Sequence, residues 1–230
     1  MVIAAPASEL LAPRPGGRVY VGTRRVRLGD VDGAARLRFD AITRFLQDVA
    51  TDDAADAGLD GTWGWLVRRT MIETTRSPRL GDRLELATFC SGSGRSWAER
   101  RTTLRDGRGV AVEAVSLWVA IDPVAGRPVA LDDRFHSVWG VAGGDRRVSA
   151  RLALDKPSGD AQDLGRWPIR AVDIDPYRHA NNAAQWAAVE EALGLDANRR
   201  GVAEVEFVSP IEPTDHIRRL SPGDVGAESG

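Results

Sequence analysis

Residues 18–28 read RVYVGTRRVRL, an alternation of β-branched and polar positions that predicts a strand. Gly29 to Gly33 form a turn. Beyond it Leu37, Ala41, Ile42, Phe45, Leu46 and Val49 recur at three and four places, which predicts an amphipathic helix over about 38–57, stopped before Gly58. Its apolar stripe needs a cover. Four strand-like runs follow, at 66–75, 83–91, 95–105 and 110–121, the last being the longest and most apolar. Asp106-Gly107-Arg108-Gly109 reads as a hairpin turn between the last two. Strand, long helix and four antiparallel strands describe an α+β unit in which a sheet curls around one helix.

Residues 122–166 are rich in Pro, Gly and Asp, a connection long enough to hold structure of its own. The pattern then restarts. Residues 167–172 are strand-like, and Asp173-Ile174-Asp175 echoes Asp30-Val31-Asp32 at an offset of 143. A helix follows in each copy, 38–57 in the first and about 181–194 in the second. Further on, Val205-Glu206-Phe207 with Ser209-Pro210 and Asp215 echoes Ile72-Glu73-Thr74 with Ser77-Pro78 and Asp82, now at an offset of 133. Ordered echoes of this kind point to duplication of one supersecondary unit; chance similarity of strand-turn-helix patterns is the alternative.

The second copy carries the polar chemistry. Asp173-Ile174-Asp175-Pro176-Tyr177-Arg178-His179-Ala180-Asn181-Asn182 gathers two carboxylates, a histidine and two amides where an extended run gives way to a helix. A helix start offers unpaired N–H groups and stabilises negative charge. A histidine near its ordinary pKa can act as a general base, and a carboxylate can orient it or attack directly. The competing reading is structural, since Asp175, Asn181 and Asn182 are all good capping residues. In the first copy, Arg36 and Phe39 stand where the second has His179 and Asn182, so the first loop is chemically blank and its greasy helix suits an apolar ligand or a core.

Composition trims the functional classes. The 230 residues carry a net charge of −2, which gives no global pull toward nucleic acid or anionic membrane. The single cysteine, Cys90, excludes an internal disulfide or a multi-cysteine metal site and reads as a buried strand residue. No apolar run is long enough for a membrane span, and residues 1–17 lack the features of a secretory signal, so a cytoplasmic protein is expected. Arg24, Arg25, Arg68, Arg69, Arg95, Arg100 and Arg101 read mostly as a solvated sheet face, with contact to an acidic partner as the alternative. Trp97, Trp118 and Trp186 are expected in the core, some of them lining a ligand tunnel.

The stretch DIDPYRHANNAAQW resembles the D-x-D-x-N-x-H-x-N-N-x-x-Y stretch of the acyl-acyl carrier protein (acyl-ACP) thioesterases, plant and bacterial. Phe45-Leu46-Gln47-Asp48-Val49-Ala50, the Leu80-Gly81-Asp82 turn and Gly92-Ser93-Gly94-Arg95 with Glu99-Arg100-Arg101 follow in that family's order. The resemblance, over roughly 18–220, implies a double hotdog fold and hydrolysis of the thioester between a fatty acyl chain and the phosphopantetheine arm of acyl carrier protein. It implies neither metal nor organic cofactor. The family's catalytic aspartate and histidine fall on Asp175 and His179, with Asn181 or Asn182 positioning water or substrate. The family's asparagine between them falls on Tyr177, and a further acidic or cysteine position falls near Pro210 and Ile211; both depart from the family pattern.

The expected organisation is a flexible lead-in over 1–17, an acyl-binding hotdog over 18–135, a linker over 136–166, a catalytic hotdog over 167–220 and a tail over 221–230. The second unit is expected to lack its last hairpin, which would leave an open sheet edge or call for a partner chain, such as a homodimer. An acyl-CoA thioesterase, or an impaired acyl-binding homologue, is the alternative function.

Overall fold

The computed structural model describes residues 12–152, 154, 163–194 and 200–220. The expected tail at 221–230, and most of the expected lead-in, lie outside them. Strand β1 (Tyr20–Arg25) leads through a short helical turn into helix α1 (Phe39–Asp56), followed by β2 (Gly64–Thr74), β3 (Arg83–Ser93), β4 (Trp97–Asp106) and β5 (Gly109–Ile121). The predicted stripe is the buried one: Leu37, Ala41, Ile42, Phe45, Leu46 and Val49 all sit in the core, against Leu84, Leu86, Leu104, Val112 and Ile72 of the sheet. Helix α1 ends where Gly58 turns to a positive φ of 68°, a conformation glycine adopts without strain.

The stretch after β5 carries structure of its own. Short helices α2 (Asp133–Phe135) and α3 (Val141–Gly143), joined by a π turn (His136–Gly140), form a strap. Phe135 and Trp139 of the strap pack with Trp63, Cys90, Ala98 and Ala120 in a second apolar cluster. Cys90 is thus buried on a strand, and burial pushes its thiol up. The strap is anchored at Asp53, which is 1% exposed. The Asp53 carboxylate accepts from Arg18 Nε at 2.7 Å, Arg100 Nη1 at 2.7 Å and Trp139 Nε1 at 2.8 Å.

Strand β6 (Asp163–Pro168), helix α4 (Asn182–Leu193), β7 (Gly201–Glu206) and β8 (His216–Leu220) repeat the order of the first copy. Pairing of β6 with β8 mirrors that of β1 with β3: Arg25 stands opposite Arg83, and Pro168 opposite His216. Counterparts of β4 and β5 are absent among the described residues of the second copy. Strand β7 nevertheless joins the sheet of the first copy, in the order β1-β3-β4-β5-β2-β7, while β6 and β8 form a separate two-stranded sheet. The β2–β7 ladder is antiparallel and puts Met71 opposite Glu204, its own repeat position 133 places later. The ladder therefore lies on a local pseudo-two-fold axis, as in an isologous interface between two chains. Across that axis α1 meets α4, where Phe39 and Trp186 lie 5.7 Å apart between ring centroids. This is a hotdog architecture, a helix laid on an antiparallel sheet, with two copies in one chain.

Most of the arginines expected on a solvated face are instead committed. Arg24 pairs with Asp48 and Asp52, Arg69 with Glu204, Arg100 with Asp53 and Arg101 with Glu99. Arg68 Nη1 donates to the carbonyls of Phe207 and Val208, tying β2 to the end of β7. Long cationic side chains on a sheet are drawn to carboxylates on the packed helix, a pairing that strand alternation alone does not reveal.

Asp53→Ala leaves two guanidinium groups and an indole N–H facing an apolar side chain in the interior. It is expected to cost about 3–5 kcal/mol in urea-induced unfolding, the loss typical of breaking a buried ionic network.

Candidate active site

The same loop is built twice. In the first copy Asp32 Oδ1 accepts the backbone N–H groups of Ala34 and Arg36, both at 2.9 Å. In the second, Asp175 Oδ1 accepts from Tyr177 N at 2.9 Å and from His179 N at 3.4 Å. Ala35 and Arg178, at matching positions, have positive φ values of 57° and 68°. Non-glycine residues adopt that conformation at a cost, so the aspartate turn must impose it. A second carboxylate secures each loop from behind. Arg27 N donates to Asp30 at 2.9 Å, and Arg170 N to Asp173 at 2.8 Å.

Burial alone would push the Asp173 carboxyl up, but the Arg170 guanidinium and N–H hold it below the usual carboxylate range. Arg170 reaches both carboxylate oxygens, with contacts of 3.0 and 2.7 Å.

The loops differ in their side chains. Arg36 Nε lies 2.9 Å from Asp32 Oδ2 and neutralises the first carboxylate. His179 stands at the equivalent place in the second loop, and its imidazole makes no hydrogen bond or ion pair with the Asp175 carboxylate; among the described residues that carboxylate meets only backbone N–H groups, that of His179 included. The imidazole instead has the Glu212 carboxylate nearby, with Oε1 3.4 Å from His179 Nε2. Both side chains reach solvent, at 38% and 59% exposure, as access by a substrate requires. The loop and Glu212 are held in register by Ala180 N donating to Ile211 O at 2.9 Å. Tyr177 points outward at 75% exposure.

Glu212 was not singled out in the sequence, although the repeat contains the clue. Glu212 lies 133 places after Arg79, and Arg79 bridges Arg36 in the first copy. The pair Arg36–Arg79 has become His179–Glu212.

The helix starts differ as well. Asn181 caps α4, its Oδ1 accepting from Ala183 N at 2.8 Å. The Asn182 N–H, first in the helix, meets no acceptor among the described residues. In the first copy the matching N–H, that of Phe39, donates to Glu190 Oε2 of α4 at 2.7 Å. By the same pseudo-symmetry Gln47 of α1 faces the start of α4, with Nε2 lying 3.5 Å from Asn181 Oδ1. One helix N-terminus is plugged by a carboxylate. The other sits beside a neutral amide.

A family model described as the acyl-ACP thioesterase N-terminal domain matches residues 17–138. The chain belongs to the acyl-ACP thioesterase family. An uncharacterised protein of Mycobacterium tuberculosis is 30% identical over 208 residues, covering 88% of this chain and 82% of that protein. A crystal structure of an acyl-ACP thioesterase from Bacteroides thetaiotaomicron has a similar fold, with a TM-score of 0.73 at 18% identity over 87% of this chain and 85% of that one. The 12:0-ACP thioesterase from Umbellularia californica superposes with a TM-score of 0.69 at 22% identity, over 88% of this chain and 86% of the other. Acyl-ACP thioesterase family membership and the hotdog fold together mark the chain as of thioester hydrolase type. No helix among the described residues is long and apolar enough to cross a membrane.

The Asp173 carboxyl supports the loop only while ionised. Its depressed folded pKa adds stability that is present above its unfolded value, near 4, and is lost as pH falls through the folded value. Arg170→Ala lets the folded pKa rise. Circular dichroism during acid titration is expected to show unfolding beginning at higher pH, by roughly a few tenths of a unit.

Proposed function

We propose that the protein hydrolyses the thioester of a fatty acyl group on acyl carrier protein, releasing the free acid. The observation that carries this reading is the contrast between the two helix starts: the Phe39 N–H is occupied by Glu190, while the Asn182 N–H is available beside His179 and Glu212. The thioester carbonyl oxygen accepts from Asn182 N–H at the positive end of α4, where charge developing on oxygen is stabilised. With the Glu212 carboxylate on the Nε2 side of the ring, Nδ1 of His179 serves as the basic nitrogen. It takes a proton from water as the water oxygen bonds to the carbonyl carbon and the C=O electron pair moves to oxygen. Collapse of the tetrahedral species reforms the carbonyl and breaks the C–S bond, and the imidazolium returns its proton to the departing thiolate. Asp175 holds the loop in place, with the oxygen that Arg36 neutralises in the first copy left free of a guanidinium. Direct attack by this carboxylate is the variant of the same chemistry.

A carrier protein, rather than coenzyme A alone, is supported by the family to which the chain belongs and by an open groove of about 560 Å³ lined by Arg24, Arg25, Arg27 and Arg83. Arg25 and Arg83 stand directly opposite each other in the β1–β3 ladder, a like-charge pairing that an anionic partner would relieve.

Thiol release from acyl-ACP tests the assignment, with acyl-CoA as a competing substrate. His179→Ala and Asp175→Ala are each expected to lower kcat by about 10²–10⁴-fold. Gln47→Glu recreates the plug of the first copy by placing a carboxylate at the Asn182 N–H, and is expected to cost about 10²-fold. Wild-type rates in all three variants would overturn the assignment.

A further inference from the structure

A small cavity of about 10 Å³ lies between α1, α4 and the paired strands β2 and β5, with room for one water-sized group. It adjoins the candidate site, because Gln47 and Asn182 form part of its wall. Leu46 and Phe207 make it partly apolar, as an acyl-binding wall should be. The rest of the lining is polar in a one-sided way.

The hydroxyls there already have partners. Thr43 Oγ1 donates toward the carbonyls of Phe39 and Asp40, each at 3.0 Å, and Thr70 and Ser116 bond one another at 3.2 Å. Trp118 of β5 and Trp186 of α4 complete the wall. The indole Nε1–H of each is buried and meets no acceptor among the described residues, and Trp186 as a whole is 0% exposed. A buried donor left unpaired costs about 1–3 kcal/mol. A wall built only for hydrocarbon would carry phenylalanine at these positions, with the same ring packing and no donor to desolvate. Two residues lining one small cavity thus each carry an indole donor without a partner among the described residues, and an acceptor atom within reach of both would satisfy them.

We infer that the acyl group taken by this site bears an oxygen substituent, oxo or hydroxy, close to the thioester, and that Trp118 and Trp186 donate to it. The cavity is too small for a chain and suits one substituent oxygen, while Asn182 in its wall places that oxygen near the reacting carbonyl. This inference rests on the thioesterase reading above and narrows it to a substrate class.

The full chain is assayed by thiol release from decanoyl, 3-hydroxydecanoyl and 3-oxodecanoyl thioesters on one carrier. The expected result is a kcat/KM about tenfold or more higher for the oxygenated chains, because a site built to hydrogen-bond an oxygen discriminates against its absence. Trp118→Phe keeps the ring and removes the donor, and is expected to reduce that ratio to about twofold or less. Trp186 is in the core, so its donor is tested by binding to the wild-type protein instead: 3-hydroxydecanoic acid should raise the unfolding temperature more than decanoic acid. Equal rates for the three substrates, a preference that survives Trp118→Phe, or equal thermal protection would overturn the inference and leave the cavity to a resident water. Failure to hydrolyse any thioester would instead overturn the functional reading, while selective thermal protection would still support the acceptor subsite.

Discussion

The β2–β7 ladder is the contact on which the site depends. Six residue pairs join the two copies edge to edge, from Arg69–Glu206 to Thr74–Gly201. Their antiparallel register sets each element of one copy across from its counterpart in the other. With the sheet continuous, α1 and α4 have to meet above it, and Trp186 is driven against Phe39 in a common core. The start of each helix thereby faces the middle of the other. A hotdog unit alone would present its helix start to solvent; the pairing supplies the opposite wall and, with it, Gln47 and Glu190.

A duplicated unit begins with two equivalent loops and two equivalent helix starts, so any difference between them reflects later divergence. The backbone has barely diverged. The aspartate turns, the positive-φ residues and the carboxylates behind each loop all match. Divergence lies in a few side chains. The histidine at position 179, where the first copy has Arg36, leaves the loop aspartate without a guanidinium partner. Glutamate at 212, where the first copy has Arg79, places a carboxylate beside the imidazole. Glutamate at 190 against glutamine at 47 decides which helix start is filled. These differences leave one loop aspartate paired with a guanidinium and the other not, and one helix start filled by a carboxylate and the other not.

The first copy also provides the firmer scaffold. Asp53 gathers donors from the segment before β1, from β4 and from the strap, so one buried carboxylate holds three parts of the chain to α1. Such a network contributes little net stability over a well-packed apolar core, but it fixes geometry, because each donor has one place to go. A rigid α1 matters less than two turns back along the same helix, where Gln47 in its middle faces the start of α4.

Much was legible in the sequence because it is local. The stripe from Leu37 to Val49, the alternation of the first copy's strands and its turn residues arise from neighbours along the chain and reappear in the fold, as do the two offsets of 143 and 133; the strand expected over 167–172 lies earlier, at Asp163–Pro168, because the chain turns helically at Ala171–Asp173 to enter the aspartate loop. The resemblance at 173–186 likewise singled out Asp175, His179, Asn181 and Asn182 without coordinates. Tertiary structure decided what lies across space. Glu212 reaches His179 from a separate segment, Gln47 and Glu190 face the opposite helix, and the expected solvated arginines found carboxylates on other elements. Above all, only packing could reveal that Trp118 and Trp186 bury donors without acceptors. Periodicity records which face of an element is apolar; it does not record which atoms of that face find partners once the faces close.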